Sequence, residues 1–466
     1  MVGAAGAPKS CRIPTVNRAT ARSFKLATRS TVRRVGDLLR SDAALAMVTR
    51  ATQGAAMGVG ALFVIWRTSP AGQGFYFAFV SFGILLQLCD FGLSYASLQA
   101  ASHLLAIDRI RELRALARRA LRINATVTSV ASLIVAGLGW WVFSRVPNDA
   151  TAEWTAAWFA FIACVGLNHL TAPYIFLVEG GVSVSRAWRF RLVQEIASGL
   201  ALLTVLALGL VLWALVAYYG TRCALAAFWM LRGPLGAADA ADGSLTLRRW
   251  RVELWPFQWR VGLSAISAYL VFQAFGPILF ALRGPAEAGR FALSLSVMNA
   301  IVMVTTAWPI SQAAHFGVLV GRRQGRDLSR RWSRLLLQST AFAAFGALAT
   351  VVVFVGLRVV QPDVMARFAG PVTTGLLIAS AIAHHVIACI SVVLRSERRD
   401  PLLWLGIVGG VVTLGLMTAV ALRGELAGVA LTYLLCTTAT VPVALAAYRR
   451  FALRQADIDP LARSIA

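Results

Sequence analysis

The chain has 466 residues, 58% of them hydrophobic and 14% charged, with a mean hydropathy of +0.70. That balance excludes a soluble globular domain. Lys and Arg number 45 against 20 Asp and Glu, a net charge of +25. The arginines punctuate hydrophobic runs and form no basic face with interleaved aromatics, which excludes nucleic acid as the partner and points to an anionic membrane leaflet.

Residues 1–42 form a basic tail with Arg12, Arg18, Arg22, Lys25, Arg29, Arg33 and Arg34. It contains no hydrophobic stretch, so it reads as a cytoplasmic tail and not as a secretory signal. A bilayer core about 30 Å thick needs about 20 apolar residues per helix. About twelve segments satisfy this, near 43–66, 75–101, 120–143, 152–178, 192–210, 211–231, 259–282, 291–320, 335–358, 371–394, 402–422 and 424–448. The fold class expected is an all-α polytopic membrane protein with two six-helix lobes, 43–231 and 259–448, and a second tail at 449–466.

Arginines crowd into alternate connections: Arg109 to Arg122, Arg186 to Arg191, Arg248 to Arg251, Arg322 to Arg334, Arg395 to Arg399, and Arg449 to Arg454. The positive-inside rule makes those connections and both termini cytoplasmic. The longest connection, 232–258, separates the lobes. Its first part reads as linker, and its second as an amphipathic piece with Trp250, Trp255 and Trp259 at headgroup depth.

The two lobes repeat one another. Ser69-Pro-Ala-Gly-Gln-Gly74 aligns without a gap on Gly284-Pro-Ala-Glu-Ala-Gly289, because Pro285 minus Pro70, Gly289 minus Gly74 and Ser296 minus Ser81 all equal 215. Arg111, Leu113, Arg119 and Leu121 fall likewise on Arg326, Leu328, Arg334 and Leu336. Such duplication in a membrane chain is the signature of a transporter whose lobes rock around a shared site.

A charge near the centre of a span costs on the order of 2.5–3.5 kcal/mol, so each one needs a partner or an aqueous cavity. Arg50 and Gln53 share a face of the first span, with Arg50 roughly 10 Å from the cytoplasmic end; Asp90 is expected within the second span, roughly 16 Å from that end. Arg50 has two readings, a cation facing a central cavity or one half of an Arg50–Asp90 pair. Asp90 reads chiefly as structural, with a coupling proton as its other role. Arg222 either lines the cavity, snorkels, or pairs with Glu195. His169, between Asn168 and a Pro kink at Pro173, is a packing residue or a proton relay. His384 and His385 are adjacent, so at most one faces a cavity. Gln273 with Tyr269, and Asn299 with Gln312 and His315, give the second lobe a polar, uncharged lining or helix–helix glue.

No catalytic constellation is present. The outward connections are short, a phosphate-binding Gly-Lys-Ser/Thr loop is absent, and His-Glu-x-x-His is absent. Cys11, Cys89, Cys164, Cys223, Cys389 and Cys436 are scattered with no metal spacing. Neither an enzyme activity, a cofactor nor a metal is expected.

Thr49-Arg50 on a Gly-rich first helix, the Ser-Pro-Ala-Gly-Gln-Gly turn, Leu88-Cys-Asp90-Phe-Gly-Leu93, and the second turn at Gly284 resemble the polysaccharide-exporter branch of the multidrug/oligosaccharidyl-lipid/polysaccharide (MOP) flippase superfamily. The first turn departs from that branch in Ser69, which replaces a Gly, and in Gly72, which replaces an acid. The resemblance implies two lobes around a V-shaped cavity that alternate in access. It implies as cargo a polyprenyl-diphosphate-linked oligosaccharide, carried across the cytoplasmic membrane for O-antigen, capsule or exopolysaccharide assembly. It also implies Arg50 as a head-group contact, with membrane lipids, glycosyltransferases and a polymerase as partners. A MATE-like multidrug or cation exporter, or a non-transporting scaffold of the polysaccharide machinery, are the alternatives. Arg50 and Asp90 have neutral counterparts in the second lobe, with Thr305 opposite Asp90. The amino-terminal lobe is therefore expected to hold the phosphates.

Overall fold

The computed structural model describes residues 42–106, 110–146, 154–232, 255–397 and 401–458. The expectations for the tail up to residue 41 and for the linker 233–254, Trp250 included, lie outside the described residues. The described residues form helices and no strand. Twelve helical stretches are long and apolar enough to cross a membrane. They are TM1 Ala44–Arg67, TM2 Pro70–Asp90, TM3 Ala115–Phe143, TM4 Trp154–Gly181, TM5 Val184–Ala207, TM6 Val211–Arg232, TM7 Gln258–Arg283, TM8 Pro285–Val320, TM9 Gly325–Val360, TM10 Pro371–Leu394, TM11 Leu403–Arg423 and TM12 Leu426–Gln455. The chain is a multi-pass membrane protein.

Successive spans run in opposite directions between two ends. One end carries the Arg-rich connections and is called here the arginine end. The other carries the Pro/Gly turns and is called the turn end.

The lobes repeat their internal contacts. TM1 packs on TM5 as TM7 packs on TM11, TM4 on TM6 as TM10 on TM12, and TM2 on TM4 as TM8 on TM10. Between the lobes the main contact is TM2 against TM8, the two helices that open on the duplicated turn.

The two copies of that turn start their helices by different local means. Ser69 is extended (φ −73°, ψ 163°), and its Oγ accepts the Gly72 N–H at 3.2 Å, a side-chain cap ahead of Pro70. Gly284 takes φ +84°, a conformation that requires glycine. Ser at one copy and Gly at the other therefore follow from the backbone each must adopt.

Where TM2 meets TM8 the helices touch through backbone. A Cβ on Gly74 would lie 2.0 Å from the Pro285 carbonyl oxygen, and one on Gly289 would lie 2.6 Å from the Pro70 carbonyl oxygen. Gln73 Nε2 completes the junction by donating to the carbonyls of Gly289 at 2.7 Å and Arg367 at 3.2 Å. Beside it an aromatic cluster crosses between the lobes. Phe75, Phe143 and Trp158 are fully buried, and Phe280 of TM7 lies 4.9 Å from Phe75 and 5.2 Å from Phe143 between ring centroids.

Some boundaries differ from the sequence expectation. The apolar run expected over 75–101 is two elements, because TM2 ends in a short 3-10 turn at Leu88–Asp90. There Phe91 (φ +47°) and Gly92 (φ +78°) interrupt the helix before a separate one, Leu93–Ala106, which packs on the second half of TM4. Gly92 and Gly262 are needed at this bend, since a Cβ on Gly262 would lie 2.8 Å from the Phe91 backbone. TM5 begins at Val184, eight residues before the expected 192, and the last helix continues to Ile458, past the expected end at 448. Hydropathy missed both because arginines occupy the end turns, where they reach the interface without breaking the helix.

Candidate functional site

Three arginines of the amino-terminal lobe, Arg50, Arg191 and Arg222, lie within its spans. Arg50 sits on TM1 one helical turn from Gly54, and Gly54 faces TM8, since a Cβ there would lie 3.1 Å from Met303 Cε. Residues four apart share a helix face, so Arg50 lies on the side of TM1 turned toward the opposite lobe. Arg50 and Gln53 are both exposed, and among the described residues Arg50 makes no ion pair. The Arg50–Asp90 pair is not formed.

Asp90 is occupied otherwise. Its Oδ1 accepts the Gly92 N–H at 2.8 Å and its Oδ2 the Ser94 N–H at 3.1 Å. It therefore caps the helix that follows the bend, satisfying donors that have no intrahelical partner. It stands where TM2 is interrupted, close enough to His169 of TM4 to act on it electrostatically.

Arg222 of TM6 is paired. Its Nη1 is hydrogen-bonded to Glu195 Oε1 of TM5 and lies 3.2 Å from the Tyr218 hydroxyl. Tyr218 donates to Glu195 Oε2 at 2.8 Å, and Gln194 Nε2 donates to the Arg222 carbonyl at 2.8 Å. Of the readings open for Arg222, pairing with Glu195 is the one realised.

A third arginine joins them. Arg191 lies inside TM5, its Nη1 2.7 Å from Glu179 Oε2. Its guanidinium stands over the rings of Phe176 at 4.8 Å and Trp188 at 4.7 Å. Both Arg50 and Arg222 are close enough to Arg191 to act on it electrostatically. In the sequence Arg186, Arg189 and Arg191 read as one loop cluster. The available signal was their i, i+3 and i+5 spacing beside Trp188 and Phe190, which suits a helix.

Three arginines thus face two glutamates, Glu179 and Glu195. Among the described residues one positive charge, that of Arg50, is left without a partner on the face toward the other lobe. In a poorly screened setting such a guanidinium binds a phosphate or carboxylate through charge-assisted, bidentate hydrogen bonds.

The remaining candidates are placed elsewhere. His169 is buried at the break in TM4 between Leu170 and Ala172. Its carbonyl accepts from Asn124 Nδ2 at 2.8 Å, and that of Asn168 accepts from Thr171 Oγ1 at 2.7 Å, so side chains satisfy backbone freed by the break. His384 is buried in the other lobe, with Nε2 2.8 Å from the Tyr433 hydroxyl and its ring 4.7 Å from that of Phe272. Gln273 stands at a break in TM7, and its carbonyl accepts from Ser81 Oγ of TM2 at 2.9 Å. It belongs to the junction between the lobes. Asn299, half-buried, lies one turn from Met303 on TM8. Among the described residues no group of three or more His, Cys, Asp or Glu could hold a metal ion.

Neither a protein-family model nor a curated protein matches this chain by sequence. Solved structures do match by fold. An inward-facing multidrug resistance MATE family transporter of the MOP superfamily aligns with a TM-score of 0.68 at 13% identity, over 88% of this chain and 98% of that one. The chain folds like a MATE transporter. An outward-facing structure of such a transporter aligns with a TM-score of 0.54 at 14% identity, over 90% and 98%. A MOP superfamily transporter from Pyrococcus furiosus Vc1 (DSM3638), whose binding pocket has reversed polarity, gives the same values.

Proposed function

We propose that this protein is a flippase of lipid-linked oligosaccharide, moving a polyprenyl-diphosphate-linked glycan across the cytoplasmic membrane for surface polysaccharide assembly. Alternating access of the two lobes performs the movement. The observation that carries this reading is the uncompensated guanidinium of Arg50 on the inter-lobe face of TM1, beside Arg191 and Arg222, whose own charges are balanced by Glu179 and Glu195. A diphosphate head group cannot cross hydrocarbon unaided, whereas its lipid tail can stay in the bilayer. The cavity therefore has to supply cationic hydrogen-bond donors for the head group alone.

With the arginine end cytoplasmic, by the positive-inside rule, the junction at Gln73, Gly74 and Gly289 closes the outward side and Arg50 is reached from the cytoplasm. That is the loading state of such a cycle. Glycosyltransferases and a polymerase are the partners this role requires.

The multidrug names carried by several fold neighbours favour a second reading, an exporter of organic cations. A cation site needs an uncompensated acid in the cavity. Asp90 is the sequence candidate for it, and both of its oxygens are taken by backbone N–H groups.

The deciding experiment follows labelled polyprenyl-diphosphate glycan across sealed proteoliposomes containing the full chain or Arg50→Ala. Translocation by the wild type that collapses in the variant is expected. Undiminished movement in the variant removes the head-group role of Arg50. No movement in the wild type, together with efflux of a fluorescent organic cation, establishes the exporter.

A further inference from the structure

At the turn end of the second lobe, the ends of four spans border an open cavity of about 380 Å³, lined among others by Arg283, Glu287, Arg290, Phe368, Gly370 and Glu425. Two of its charges neutralise each other. Arg283 Nε donates to Glu287 Oε2 at 2.9 Å, and its Nη1 donates to the carbonyls of Ala421 at 3.3 Å and Gly424 at 3.2 Å.

The other two charges do not neutralise each other. Arg290 Nε is buried without a hydrogen-bond partner, and among the described residues neither the Arg290 guanidinium nor the Glu425 carboxylate makes an ion pair. A guanidinium and a carboxylate thus line one cavity without meeting. Arg290 is half-buried and Glu425 exposed, so opposite charges stand apart on the walls, and the hollow is complementary to a small molecule that carries both an anion and a hydrogen-bonding cation.

Its position indicates the source. Arg283 ends TM7, Arg290 lies in the first two turns of TM8, Gly370 precedes TM10 and Glu425 precedes TM12. Span ends lie at the depth of lipid head groups. Val372 and Leu422, close in sequence to Gly370 and Glu425, are each 63% exposed and offer apolar surface to acyl chains beside the opening. The N-termini of TM8, TM10 and TM12 also point here and add positive potential, which favours the anionic part at Arg290.

We infer that this cavity binds the head group of a zwitterionic phospholipid with a primary ammonium, the phosphate on Arg290 and the ammonium on Glu425. The inference goes beyond the flippase reading and does not depend on it. Phosphatidylethanolamine has the required chemistry. Phosphatidylcholine has the charge but no N–H to donate to Glu425, and phosphatidylglycerol has no cation. Because Gly289 and Arg367, the neighbours of Arg290 and of Phe368, accept the Gln73 hydrogen bonds from the first lobe, the cavity walls are held by the lobe junction.

The test is native mass spectrometry of the full-length protein in detergent with an equimolar mixture of these three lipids. Phosphatidylethanolamine adducts are expected to dominate, by about tenfold over phosphatidylcholine, the factor that one charge-assisted hydrogen bond supplies. Arg290→Gln is expected to weaken all three adducts, and Glu425→Gln to erase the difference between phosphatidylethanolamine and phosphatidylcholine. Arg290→Lys, retaining the charge, should keep part of the binding, and the melting temperature of each variant reports whether it is folded. Equal adducts of the three lipids in the wild type, or a phosphatidylethanolamine preference unaltered by both Gln substitutions, would overturn the inference. Displacement of the lipid by free O-phosphoethanolamine would also overturn it, by making a soluble zwitterion the ligand.

Discussion

Gly74 and Gly289, 215 residues apart in the chain, lie against each other's turns. Gly74 faces the Pro285 carbonyl and Gly289 faces the Pro70 carbonyl. The contact is isologous, as in a two-fold dimer, but here both partners belong to one chain. The duplicated turn is thus the joint at which the lobes meet, and each of its closing glycines exists so that the other backbone can approach.

Gly74→Ala is expected to destabilise the protein by about 1–3 kcal/mol, because the new methyl group overlaps a carbonyl oxygen that belongs to backbone and cannot swing away. Gly346→Ala on TM9, where nothing lies within 4 Å of the added Cβ, should be neutral or stabilising by about 0.5–1 kcal/mol. Thermal melting of the two variants in the same detergent compares them, and an unchanged melting temperature for Gly74→Ala would refute the close approach.

Gln73→Leu removes two hydrogen bonds to carbonyls of the opposite lobe, at about 0.5–1.5 kcal/mol each. The loss falls on the joined state alone, so the population shifts toward lobes parted at the turn end. A cysteine introduced at Ser69 should then react faster with a membrane-impermeant maleimide than in the parent background.

Asp90→Asn retains an oxygen able to accept one of the two N–H groups, whereas Asp90→Ala retains none. The alanine variant should lose about 1–2 kcal/mol, the usual worth of a cap, and the asparagine variant much less. If Asp90 instead carried a coupling proton, Asp90→Asn would melt normally yet fail to transport, which separates the two roles.

Removing one member of the Arg222–Glu195 pair strands the other. Arg222→Met alone should cost about 3–5 kcal/mol, and the double variant Arg222→Met with Glu195→Leu considerably less. A double-mutant cycle on melting curves measures the coupling, and additive effects would mean that the two side chains do not depend on one another.

Arg50→Ala, by contrast, should change stability by no more than about 0.5 kcal/mol, since the side chain is exposed and unpaired. Its effect is expected in transport, with partial recovery in Arg50→Lys, which keeps the charge and loses the bidentate geometry. A large fall in melting temperature for Arg50→Ala would mark it as structural.

The number of spans, their alternation and the duplication were all legible from the sequence, because each rests on local properties: the length of an apolar run, the arginines at its ends, and the chemistry of a Pro/Gly turn. Even the departure at Ser69 was visible, although its reason, a side-chain cap in place of a positive φ, was not. The partners of charges were invisible. The capping role of Asp90 is invisible because Leu93–Ala106 continues the apolar run, and hydropathy cannot register a helix break made by two backbone angles at Phe91 and Gly92. Arg191 reads as part of a connection for the opposite reason, since charge at a helix end looks like loop.

Tertiary structure alone decided that Arg222 has Glu195, that Arg191 has Glu179, that Asp90 serves backbone, and that Arg50 is left over. Pairing depends on which faces of separate helices meet. That is set by packing between residues far apart in the chain, such as Gly54 against Met303 or Gly74 against Gly289, where no local pattern records the partner.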